Sequence, residues 1–145
     1  MKIFPLRLLV VLGLGLLLGG CASFNAQVER GRSLAGVQRF FVVSNLNDNH
    51  AFDQQIAAAL RARGLTAEVG PLTMMPDKTQ AVVTFQDRWT WDFSDHLVFL
   101  KINVRDTRSD QSFAVVTFDA RIPLRESPAE IVGKLVDRLL QPAAK

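Results

Sequence analysis

The chain has 145 residues, 48% of them apolar, which suits one packed domain and excludes a disordered tail. Its formal charge of +3 overstates the balance of the body, because Lys2 and Arg7 precede Cys21 and leave 15 basic residues against 14 acidic ones. A near-neutral body gives no electrostatic footing for nucleic acid, and a lone cysteine builds neither an internal disulfide nor a cysteine-rich zinc site.

In chain order, Met1 to Gly20 has the three parts of a signal peptide. Lys2 and Arg7 supply a basic start, and Leu8 to Leu18 is an apolar run broken only by glycines. That run is shorter than the roughly 20 residues a membrane-spanning helix needs. Leu18-Gly19-Gly20-Cys21 follows. This segment resembles the lipobox of bacterial lipoproteins, an aliphatic residue and two small ones before a cysteine. The resemblance implies cleavage before Cys21 and acylation of its sulfur and its new amino terminus, with palmitate among the chains. It also implies anchoring in the bilayer through Cys21. Ala22 is not the aspartate that retains such proteins at the inner membrane in the enterobacterial pattern, so the periplasmic face of the outer membrane is expected. Ala22 to Gly36 is polar and without period, and reads as a flexible tether running on from the lipidated cysteine.

Residues 37–142 read as one periplasmic domain. Val37 to Asn45 is β-branched and aromatic, a buried first strand whose edge could take a partner. Asn47 or Asp48 is the candidate N-cap of a helix over Ala51–Arg63, where Phe52, Ile56, Ala59 and Leu60 recur at helical spacing. Gly64 suits its C-terminal end. Leu65 to Val69 is a short strand. Three longer strands follow: Gln80–Trp89, His96–Asp106 and Ser112–Ile122. Alternation in the second sets Val98, Leu100, Ile102 and Val104 on one face and Leu97 and Phe99 on the other. Ser127-Pro128-Ala129-Glu130 is a capping box with proline at the first helical position, and Ile131, Val132, Leu135, Val136, Leu139 and Leu140 form the stripe of a closing helix. The order β-α-β-β-β-β-α predicts an α+β fold, two amphipathic helices on one face of a mostly antiparallel sheet.

Chemistry-bearing residues concentrate in Gln86 to His96, QDRWTWDFSDH. Asp92, Asp95 and His96 are candidate metal ligands, but their spacing matches no strong motif and no further ligand is evident. His50 and His96 as bases with Ser44 or Ser94 as nucleophiles would serve a hydrolase, yet no nucleophile elbow or zincin motif is present. Trp89, Trp91 and Phe93 could cover an open core edge or anchor a partner. No cofactor motif appears.

The stretches FDQQIAAALRARGL, QAVVTFQD and LKINVRDTRSDQSFAVVTFDARI, with the closing helix, resemble a family of small bacterial lipoproteins with a body of unknown function. In architecture the body is similar to the lipoprotein plug of the lipopolysaccharide-export barrel. Neither resemblance implies catalytic residues. Together these readings predict a non-enzymatic module that binds an envelope protein or cell-wall partner. The alternative is a small hydrolase or ligand- or metal-binding domain working at 86–96.

Overall fold

A computed structural model describes residues 25–109, 111–120 and 126–142; the expected signal peptide over 1–20, Cys21 and residues 22–24 lie outside the described residues. Six strands form one sheet: β1 (Asn25–Arg30), β2 (Arg39–Val43), β3 (Thr66–Gly70), β4 (Ala81–Trp91), β5 (Asp95–Asp106) and β6 (Ser112–Asp119). Among the described residues two α-helices, α1 (Phe52–Arg61) and α2 (Pro128–Leu140), accompany it. The sheet order is β1-β6-β5-β4-β2-β3. The α+β class and the two-helix, mostly antiparallel architecture agree with the sequence.

The core forms because strand alternation and helical stripes meet on one face. Phe40 and Val42 of β2, Val83 and Phe85 of β4, and Val116 and Phe118 of β6 are buried against Phe52, Ile56 and Leu60 of α1 and Ile131, Leu135 and Leu139 of α2. The helix boundaries have separate causes. Ser127 accepts from the Glu130 N–H and the Glu130 carboxylate accepts from the Ser127 N–H, so the capping box starts α2 as its sequence predicts. Gly64 lies at φ +79°, and the bonds Leu65 N–H to Leu60 O and Gly64 N–H to Arg61 O close the end of α1. Arg63 staples the helices together, donating to Asp137 at 2.6 Å and to the carbonyls of Ala59 and Gly133.

Four expectations are corrected. Asn25–Arg30, assigned to the tether, is edge strand β1, paired antiparallel with β6. Its polar sequence hides it, because an edge strand needs little apolar content. β2 is not an edge: it pairs in parallel with β3 on one side and β4 on the other. The β3–β4 connection must therefore travel back the length of β2, which makes this part of the sheet parallel. Asp48 is not the N-cap of α1. That position is Ala51, at φ 54°, while the Asp48 carboxylate reaches forward to the N–H groups of His50 and Phe52. Finally, the register between β4 and β5 shifts at Arg88/Trp89, where Val98 has no partner on β4. This bulge turns Leu97, rather than Val98, into the core.

Candidate functional site

Residues 86–96 are mostly strand, not loop. β4 runs to Trp91, β5 begins at Asp95, and only Asp92 to Ser94 turn. The resulting hairpin outruns its neighbours. β2 ends level with about Thr84, and β6 ends opposite Phe99, which pairs with Arg88. Trp89 to Trp91 and their β5 partners thus project beyond the sheet.

The three aromatic candidates divide. Trp89 is half-buried at the hairpin base, packed on the core, and its indole N–H donates to Asp87 at 2.7 Å. Its ring stacks on His50 at 3.7 Å and lies against Phe52. Trp89 therefore covers the core edge. Trp91 and Phe93 are 71% and 91% exposed, with ring centroids 5.9 Å apart. Leu46, in the β2–α1 connection at the same end, is 99% exposed. Phe93 sits at φ +58°, a region a bulky side chain adopts only against strain. The turn thus holds an aromatic ring outward where asparagine or glycine would be the relaxed choice.

Asp92, Asp95 and His96 do not assemble. Among the described residues no three His, Cys, Asp or Glu side chains gather as a metal set. The Asp92 N–H donates to the Ser94 carbonyl, a local turn role. His96 Nε2 lies 3.0 Å from Ser94 Oγ, on an exposed surface. Neither that pair nor Asp92 and Asp95 line the four surface clefts of about 150, 340, 390 and 720 Å³ that other described residues form. His50 is committed to the Trp89 stack.

Strand pairing supplies a relationship the sequence does not carry. Asn25 pairs with Asp119, and Asp119 with Phe99. β1 therefore begins at the end of the sheet from which the hairpin projects. The strands that set this relationship are far apart in sequence; β6 reads as a strand, but its partner β1 reads as tether. Its one signal is the alternation of Ala26 and Val28 with Asn25, Gln27 and Glu29.

No family model matches the chain, and no curated protein matches it. Solved structures do. The fold is similar to the PelC dodecamer from Paraburkholderia phytofirmans, with TM-score 0.59, 16% identity, and coverage of 81% of this chain and 95% of that one. A point variant of the same dodecamer gives TM-score 0.59 at 17% identity, covering 81% and 96%. A weaker likeness, TM-score 0.47 at 12% identity, runs to TolB from Acinetobacter baumannii, of which 31% is covered. At these identities the likeness is one of fold.

Proposed function

We propose that the chain is a non-enzymatic lipoprotein, anchored through acylated Cys21 at the periplasmic face of the outer membrane, whose domain is an envelope binding module. The observation that carries this is the shared end of β1 and the aromatic tip. Three residues separate Cys21 from Asn25, and the four Cα steps between them span no more than about 14 Å. From the level of Asn25, the hairpin climbs three strand residues to Trp91, about 10 Å. At full extension that link is long enough to span the height from Asn25 to the tip. Buried acyl chains contribute about 0.8 kcal/mol per CH₂, and exposed aromatic rings suit the headgroup boundary, so Trp91 and Phe93 seat the domain against the bilayer.

The test follows acyl labelling and membrane fractionation in cells. Cys21→Ser is expected to lose both, and labelling that persists would overturn the anchor. Crosslinking from the anchored protein in cells should then capture an outer-membrane or cell-wall component. A second reading, a small hydrolase, is favoured by the Ser94–His96 distance. Cleavage of a wall fragment by the purified protein, abolished in Ser94→Ala, would establish it instead.

A further inference from the structure

We propose that the cleft at the other end of the sheet binds an acidic oligosaccharide, one whose sugars carry carboxylate or phosphate groups. The cleft measures about 720 Å³, within the range of small-ligand sites. It lies where β1, β4 and β5 meet their far ends: β5 has its hairpin turn before Asp95, and the cleft wall begins at Asp106. In the orientation proposed above it faces away from the bilayer, and the assignment rests on that reading for its setting but not for its chemistry.

Charge is the first support. The body carries 15 basic and 14 acidic residues, yet the cleft gathers Arg32, Arg39, Lys78 and Arg108 around only Asp77 and Asp106. Asp106 is already spent. It pairs with Arg32 at 2.7 Å and accepts from the Arg108 N–H at 2.7 Å. The Arg108 N–H, with further help from Ser109 and Arg32, holds its carboxyl below the usual carboxylate range. Among the described residues no ion pair ties Arg39, Lys78 or Arg108. A neutral domain that concentrates unpaired cations in one concavity focuses its field there and attracts oxyanions. Guanidinium groups suit carboxylate and phosphate alike, through paired N–H donors.

The rest of the lining favours a sugar chain over an acidic peptide. Ser33, Thr79 and Thr107 supply hydroxyls, and Ala35 and Val37 supply small apolar surface for sugar ring faces. A peptide strand would need free main-chain donors. The N–H groups of Gln38 and Arg39 are both taken by Gln80 Oε1, at 2.8 and 3.0 Å. The same bonds, with Thr107 Oγ1 donating to the Thr79 carbonyl, tie the walls together and limit the ordering a ligand must supply.

The full-length protein, purified in a neutral detergent, would be titrated by calorimetry with galacturonic acid trimer, the uncharged galactose trimer, a phosphorylated maltotriose and hexaglutamate. Saturable binding of the galacturonate or phosphorylated trimer, weakened by salt, is expected; the stronger of the two identifies the acidic group. The double variant Arg39→Ala/Arg108→Ala should raise Kd by about tenfold or more while fold and membrane partition stay as in the parent. Binding of neither acidic sugar, equal binding of the uncharged trimer, preference for hexaglutamate, or an indifferent double variant would each overturn the proposal. Because these readings need no anchor, their failure is separate from failure of the Cys21 test.

Discussion

The imidazole of His50 stacks on the indole of Trp89, ring centroids 3.7 Å apart and planes 14° from parallel. The contact joins the approach to α1 to the base of the hairpin, and the indole N–H is satisfied by Asp87. Two tryptophans two residues apart therefore have opposite roles. Trp89→Ala should cost about 2–3 kcal/mol, since it opens the core edge beside Phe52. Trp91→Ala should cost under about 0.5 kcal/mol, as exposed positions do. Urea unfolding of both variants checks the split; equal costs would contradict it.

The strain at Phe93 gives a prediction of opposite sign for stability and binding. Phe93→Asn keeps the left-handed turn with a residue that tolerates it, so stability should rise by about 0.5–1 kcal/mol. Flotation of the acylated protein with zwitterionic vesicles should show weaker seating in Phe93→Asn. Trp91→Ala, with little change in stability, should weaken it too. A stabilised Phe93 variant that seats as well as the parent would remove the tip from the membrane contact.

Local signals were legible wherever a residue acts on its own neighbourhood. The Ser127–Glu130 capping box, the Gly64 terminus and the two helical stripes each depend on spacings of a few residues. What escaped depends on distant partners. β1 becomes a strand because β6 offers it an open edge. β2 lies inside the sheet because the β3–β4 connection returns beyond it. Val98 drops out of register through its pairing with β4. The same limit applies to the candidate site: QDRWTWDFSDH shows both tryptophans at once, but only the bulged hairpin and the His50 stack separate Trp89 from Trp91.

The Arg63–Asp137 pair predicts a loss of stability in acid. The Arg63 guanidinium beside Asp137 holds that carboxyl below its ordinary value, and burial opposes the effect. A depressed folded value means the contribution is complete above the unfolded pKa, about 3.9, and disappears as pH falls through the lower folded value. The carboxylate is largely exposed, so the pair is worth under about 1 kcal/mol. Asp137→Asn should flatten that acid limb of the stability curve. Arg63→Ala should cost more, about 1–2 kcal/mol, because the carbonyls of Ala59 and Gly133 also lose their donor. Unfolding from pH 2 to 7 reads both effects.

Gly133 lies within α2, where glycine is a poor helix former. A Cβ there would meet nothing nearer than Arg63 Nη2 at 3.8 Å, an ordinary contact. Gly133→Ala should therefore stabilise the domain by about 0.5–1 kcal/mol. Thermal unfolding checks it, and a loss would mean that α2 packs more tightly on α1 than described.

Gly31 is the opposite case, and it decides whether the chain from Cys21 meets the sheet as an ordered strand. Its N–H donates to the Phe113 carbonyl at 3.1 Å, just beyond the β1–β6 ladder. A Cβ there would stand 2.1 Å from the Ser112 carbonyl oxygen, a backbone atom that cannot swing aside. Alanine must then push the end of β1 off β6, at a cost of about 1–3 kcal/mol. The Arg30 guanidinium, which donates to the Gln141 carbonyl near the end of α2, moves with it. Hydrogen exchange should accelerate at the β1 amides in Gly31→Ala, while β4 and β5 keep their protection. In anchored protein the same variant should lengthen the link between Cys21 and the domain. Trp91 and Phe93 should then seat less firmly on vesicles although neither residue has changed. Unaltered exchange in β1 would show that the strand is not seated on β6. Altered exchange with unaltered seating would show that the tip finds the bilayer without help from β1.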